Sequence, residues 1–163
     1  MYLQKYSLVL NYIYMTKNDT IIFIKDWYTA RSAARITDLS LAMINYLCRE
    51  ELVVPAAGSK RGKGNARKYS FTDLLMLRMI KRLLANDISV LNLKKSFKVM
   101  RGRGMNCRDL LSQKYVVTDG KSIYFKTDGV IELIESGQLA FAFVLELGAI
   151  REEVTANIQK QAA

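Results

Sequence analysis

Residues 28–50 read YTARSAARITDLSLAMINYLCRE, and residues 67–74 read RKYSFTDL. The first string holds two short helical patterns, Thr29–Thr37 and Ser40–Glu50, joined by the turn Thr37-Asp38-Leu39. Thr29 and Ser40 stand where a hydroxyl accepts from a free N–H of the first turn, so each is expected to cap its helix. Ala33 and Ala34 are small enough to let a second helix approach. Ile36 and Leu39 point inward. In the second helix Leu41, Ile44 and Cys48 recur at i, i+3 and i+7, and Leu47 widens that face. The opposite side carries Ala42, Asn45, Tyr46 and Arg49, with Met43 at its edge. An Asn pairs bidentately with adenine, and an Arg with guanine or phosphate, which makes this side a candidate groove-reading face. The plainer alternative is an amphipathic helix with a polar outer side.

The residues that follow bear on that choice. Gly58, Gly62 and Gly64 sit in a loop with Lys60, Arg61 and Lys63, and Arg67, Lys68 and Tyr69 come where the chain turns back as a strand. Glycine tolerates the left-handed backbone that such a loop needs. Three cations on a flexible tip, with more at its base, suit contact with phosphates. A nucleotide cradle is the competing idea, but no Gly-x-x-x-x-Gly-Lys-Ser/Thr pattern occurs and no apolar strand leads into the glycines. Phe71–Ala85 then reads as a helix with Thr72 as its cap and Asp73 in its first turn. Leu74, Leu77, Met79, Ile80 and Leu83 form its core stripe, with Arg78, Lys81 and Arg82 outside. Ser89 caps a further helix with Val90, Leu93, Phe97 and Met100 inside and Lys94, Lys95 and Lys98 outside. Helix, tight turn, helix, basic loop, helix is the layout of a winged helix-turn-helix.

Charge supports the same division. The chain has 163 residues, is 50% hydrophobic and carries a net charge of +10. Residues 26–101 hold 15 Lys/Arg against 6 Asp/Glu, a net +9, while residues 102–163 hold 7 against 8, a net −1. A basic region beside a near-neutral one implies a polyanionic partner for the first and another role for the second. The sequence has no histidine and two cysteines, Cys48 and Cys107, far apart. Histidine-based catalysis, Cys/His zinc sites and a disulfide framework are thereby excluded, and neither a metal nor a catalytic residue is expected. No apolar run approaches the ~20 residues needed to span a bilayer. A cytoplasmic location and no membrane partner are expected. Residues 1–25 are read as an N-terminal extension, a short helix or loose chain rather than a leader, with Thr20–Ile24 as a short strand.

Residues 102–163 form a second module. Gly102 and Gly104 interrupt any long helix. Lys114–Thr118 and Ser122–Lys126 flank Asp119-Gly120, a hairpin signal. Thr127 or Asp128 caps a helix through Glu135. In Gln138–Leu147, Leu139, Phe141, Phe143 and Leu145 alternate with smaller residues, which favours a strand; a buried helix is the alternative. Gly148 is expected to break it, and Ala149–Gln161 to be helical. The fold class is thus α+β: a mainly helical winged helix-turn-helix domain over 26–101, then a small β-β-α-β-α module. That module is too small for a large ligand cavity, so no small-molecule effector and no cofactor are expected. It also holds more apolar side chains than so small a unit buries alone. Leu139, Phe141, Phe143, Leu145, Leu147 and Ile150 are therefore expected to pair with a second copy.

Tyr28-Thr29-Ala30, Ala33-Ala34, Thr37, Leu39-Ser40, Ile44 and Tyr46, then Glu51-Leu52-Val53-Val54-Pro55, then Arg67-Lys68-Tyr69-Ser70 with Asp73-Leu74, Leu77 and Ile80, then Ile88-Ser89, together resemble the DNA-binding domain of the MerR family of bacterial regulators. The resemblance covers about 75 residues in unbroken order. It implies that the second helix enters the major groove and that the wing contacts phosphates. It places Arg67 and Tyr69 at phosphate-contacting or wing-anchoring positions and Tyr46 at a backbone-contacting one. Ala42 and Asn45 stand where many members carry arginines, which shifts base reading to Asn45, Arg49 and DNA deformation. Length and the Gly-Lys-Gly wing are similar to those of short MerR-like repressors from mobile elements and CRISPR-associated transposons. The expected function is a homodimeric, cofactor-independent repressor that binds a pseudo-palindrome in double-stranded DNA. The alternatives are an excisionase-like DNA-bending factor and an antitoxin or adaptor whose C-terminal module binds a protein.

Overall fold

The computed structural model describes residues 13–15, 21–55, 66–105, 109–113, 115–119, 123–126 and 143–162. It is a mixed helical and antiparallel β structure. Strand β1 (Ile13–Met15) pairs antiparallel with β2 (Ile21–Phe23), so these residues form a small ladder where a short helix or loose chain is expected; the rest of 1–20 lies outside the described residues. The β-branched run at 20–24 does supply its second strand, as such residues fit a pleated surface.

A two-residue strand, β3 (Tyr28–Thr29), leads into α1 (Ala30–Thr37). The Thr29 side chain accepts from the Ser32 N–H as cap. Asp38 ends α1 in the left-handed region at φ 57°, its N–H bonded to the Ala34 carbonyl, and this residue makes the turn. Helix α2 (Leu41–Arg49) follows, capped by Ser40 accepting from Met43 N–H at 3.0 Å. Ile44 and Leu47 are its fully buried residues, whereas Leu41 is 42% exposed and Cys48 half-buried. The inner stripe is therefore narrower than the spacing predicts, because Leu41 is the first helical residue and stands beyond the edge of the core.

Strand β4 (Lys68–Tyr69) pairs with β3 in the register Tyr28↔Tyr69 and Thr29↔Lys68. Helix α3 (Phe71–Leu84) starts immediately after it. Its cap is Ser70, not Thr72. Ser70 accepts from Asp73 N–H, and the Asp73 carboxylate accepts from Ser70 N–H at 2.8 Å, a reciprocal box that satisfies two otherwise free donors. Helix α4 (Val90–Gly102) is capped by Ser89, buries Leu93, Phe97 and Met100, and gives way at Gly104, which has φ 76°.

A short 3₁₀ turn (Asp109–Ser112) precedes a three-stranded antiparallel sheet of order β6-β5-β7. Strands β5 (Tyr115–Thr118) and β6 (Ile123–Lys126) pair as the hairpin signal predicts, closing at Thr118↔Ile123. Strand β7 (Phe143–Glu146) lies on the other side of β5. The expected helix over 127–135, and Leu139 and Phe141, lie outside the described residues. Helix α5 (Leu147–Ala162) begins one residue after β7, so Gly148 sits in its first turn and breaks nothing.

Helix α5 returns to the helix-turn-helix and packs on α1 and α3. One core cluster runs from Tyr28 through Ile44, Leu74, Leu83 and Phe97 to Val116, Leu145, Ile150 and Ile158. Packing is thus continuous across the expected boundary at residue 102. Burial of Leu145, Leu147 and Ile150, expected from a second copy, occurs within one chain. The reason is that α5 finds the apolar side of α3 close by, and covering one's own core needs no loss of translational freedom.

The polar frame of this joint is specific. Glu153 of α5 accepts from Arg78 Nε at 2.7 Å and pairs with Arg82 at 2.7 Å. Arg78 Nη1 also donates to the Thr37 carbonyl at 3.1 Å, and Asn157 Nδ2 donates to the Ile36 carbonyl at 2.8 Å. Two carbonyls at the end of α1, which have no partner inside their own helix, are satisfied from α3 and α5. Arg78, expected to face water, is therefore mostly covered, while Arg82 remains partly exposed.

Candidate nucleic-acid interface

Helix α2 presents a polar stripe on the side away from Ile44 and Leu47. Ala42, Asn45 and Arg49 are exposed, and Met43 and Tyr46 are half-buried at its margins. All five expected groove-facing residues thus reach the surface of one helix. The Arg49 guanidinium lies over the Tyr46 ring, 5.7 Å from its centre, a stacking that directs the long side chain along the helix. Arg67 reaches this stripe from the wing root: its Nη1 donates to Asn45 Oδ1 at 2.7 Å. Residues 22 positions apart are thereby joined on one surface.

The β3–β4 ladder places the wing. Because Lys68 pairs with Thr29 and Tyr69 with Tyr28, the basic loop is rooted beside the start of α1. Lys68 is exposed and stands over the Trp27 ring at 4.8 Å. Lys60, Arg61 and Lys63, the expected phosphate-contacting tip, lie outside the described residues.

Tyr69 is expected at a phosphate-contacting or wing-anchoring position. It is fully buried where β4 pairs with β3, so it has no face for a phosphate. Burial pushes its hydroxyl up to about 12, with the neighbouring Cys48 adding to the rise and Arg67 opposing it. On the far side, Lys94 of α4 forms an ion pair with Glu50 at the end of α2, and that carboxylate raises the Lys94 ammonium above its usual range. Lys94, expected on an outer face, instead braces α2 against α4.

Sequence reasoning missed two features here. Trp27 is 47% exposed and stacks on Lys68, and a lone tryptophan beside the opening residue of the pattern was the available signal. The Asn45–Arg67 bond had none, since spacing along the chain says nothing about contacts made across the wing.

Residues 28–108 match the family model described as MerR HTH family regulatory protein. The chain belongs to the MerR helix-turn-helix family. It is also 35% identical over 127 residues to an uncharacterised HTH-type transcriptional regulator of Mycobacterium bovis and to one of Mycobacterium tuberculosis. Each match covers 77% of this chain and 55% of the relative, so the chain spans about half the length of the relatives it matches. The likeness is longer than the region matched by the family model, and so extends past the MerR domain. Within the MerR domain, α1 and α2 are the helix-turn-helix pair, and the β3–β4 ladder is the root of its wing. Among the described residues no helix is long and apolar enough to cross a membrane.

Proposed function

We propose that this MerR-family chain is a sequence-specific DNA-binding transcriptional regulator that inserts α2 into the major groove. The observation that carries the proposal is the exposed stripe of Ala42, Asn45 and Arg49, with half-buried Tyr46 at its margin, joined to the wing root by the Asn45–Arg67 bond. An α-helix fits the major groove, and its outward polar residues meet base edges there. Lys68 and the loop cations at 60, 61 and 63 supply phosphate contacts flanking it. In its full form the proposal is a cofactor-independent homodimer that represses a nearby promoter from a pseudo-palindromic site. Two copies then set two recognition helices about one helical turn, or a multiple, apart. Leu145, Leu147 and Ile150 are covered within the chain, so pairing falls to other surfaces.

Competition gel shifts with genomic fragments test the proposal. A subset of fragments should bind strongly, and log K should fall with log salt by about 0.9 per phosphate contact. Equal affinity for every fragment rules out sequence-specific regulation. Sedimentation of the free and DNA-bound chain tests the dimer: one copy per bound site removes it. A reporter fused to the bound promoter gives the sign of regulation.

A further inference from the structure

The Asn45–Arg67 contact defines which base edge this stripe accepts. A guanidinium has N–H donors and no acceptor, so the atom of Asn45 facing it is the amide oxygen. The 2.7 Å separation is that of a strong, charge-assisted bond. One of the two oxygen lone pairs is thereby engaged, on an exposed residue that also carries two NH2 donors. An unengaged asparagine offers one acceptor and one donor, the match for adenine N6 and N7. Held by Arg67, the oxygen keeps one lone pair but has a donor-only guanidinium beside it, so the N6 amino group of an adenine would meet N–H groups there, whereas the O6 and N7 acceptors of a guanine match them. Arg49, steered by Tyr46, adds further donors one turn on.

We propose that the Asn45–Arg67 pair reads a guanine edge, whose N7 and O6 are adjacent acceptors, and that Arg67 is the residue that denies Asn45 an adenine. The proposal rests on α2 entering the major groove as described above. It assigns Arg67 a role in base choice besides any contact with phosphate. Asn45 is exposed and its bond to Arg67 lies at the surface, so Asn45→Ala leaves the core intact.

Selection from a pool of duplex DNA with randomised bases, using the full chain, tests this directly. The wild type should enrich one guanine per half-site at a position where Asn45→Ala loses preference about tenfold or more. Replacing that guanine by 7-deazaguanine, which lacks the N7 acceptor, should weaken wild-type binding by a similar factor and leave Asn45→Ala unaffected. Arg67→Met frees the amide oxygen, and the enriched base at that position should change to adenine. Enrichment of adenine by the wild type overturns the proposal. Uniform weakening by Asn45→Ala across all sequences also overturns it, since that marks a phosphate contact. If no sequence is enriched by any variant, the DNA-reading function itself fails. The two failures are thus distinct.

Discussion

Glu153 Oε2 accepts from Arg78 Nε at 2.7 Å, joining the last helix to the middle of the helix-turn-helix domain. The Arg78 side chain is only 15% exposed, so this is a covered pair and not a solvated one. Replacing Glu153 by Ala removes the Nε partner of Arg78 and the ion pair of Arg82 in one step. A loss of about 1–3 kcal/mol is expected, at the scale for hydrogen bonds to charged groups. For a chain of this size each kcal/mol moves the melting temperature by about 2–4 °C. Thermal melts of Glu153→Ala, Arg78→Met and the double variant provide the check. Additive shifts across the cycle would show that the pair contributes nothing of its own.

Ile150 sits on α5 but belongs to the core that includes Leu74 and Leu83. Ile150→Ala should cost about 2–5 kcal/mol, the range for emptying a packed aliphatic site. Unfolding followed by circular dichroism should remain a single transition, because the core is continuous across residue 102. If Ile150→Ala leaves stability unchanged and only lowers the mass in solution, the residue is an interface residue after all.

Ser70 and Asp73 close the N-terminus of α3 reciprocally. Ser70→Ala should destabilise the fold by about 1 kcal/mol. Thr72→Ala should leave stability within about 0.5 kcal/mol, as its side chain is not the cap. Denaturant midpoints for the two variants measured side by side decide between the caps.

Asp38 makes the turn between α1 and α2 at φ 57°. Its carboxylate is 74% exposed, and its 3.5 Å contact with Lys81 adds little. Asp38→Gly should therefore be close to neutral, since glycine takes this backbone freely. Asp38→Val should cost more than about 1 kcal/mol, because a β-branched side chain collides with the backbone there. Equal melting temperatures for the two variants would refute the assignment of the cost to backbone strain.

Tyr69 is buried with its hydroxyl pushed up to about 12 from the ordinary 10.0. Below pH 10 the phenol is neutral in both folded and unfolded chain and exerts no pH dependence. Between about pH 10 and 12 the unfolded chain ionises first, so stability falls as pH rises through that window. Tyr69→Phe should flatten this alkaline limb of the stability curve. An unchanged limb in Tyr69→Phe would assign it to other tyrosines or lysines.

The helix-turn-helix was legible in the chain because its signals are local. Thr29, Ser40 and Ser89 cap as their spacing predicts, since a cap depends only on the next three residues. The inward Ile36, Ile44, Leu74 and Phe97 follow from helical periodicity, and the β5–β6 hairpin from Asp119-Gly120 between two short runs of β-branched and aromatic residues. The polar stripe of α2 was visible for the same reason. The cap of α3 was misplaced by two residues because Ser70 and Thr72 are both hydroxyl residues near the helix start, and only the geometry of Asp73 separates them.

Local pattern thus specified the MerR helices, the caps of all but α3, and the candidate reading face. The fold as a whole decided what those side chains are free to do. Tyr69 reads in the chain as either a phosphate contact or a wing anchor, and in the fold it is buried, because the β3–β4 ladder turns it inward. Arg78 and Lys94 look solvated and instead brace α5 and α2 through Glu153 and Glu50. Leu145, Leu147 and Ile150 look like a face awaiting a partner and are covered by their own domain. Each of these depends on groups far apart in sequence meeting across the core, and periodicity carries no information about which distant surface a face will meet.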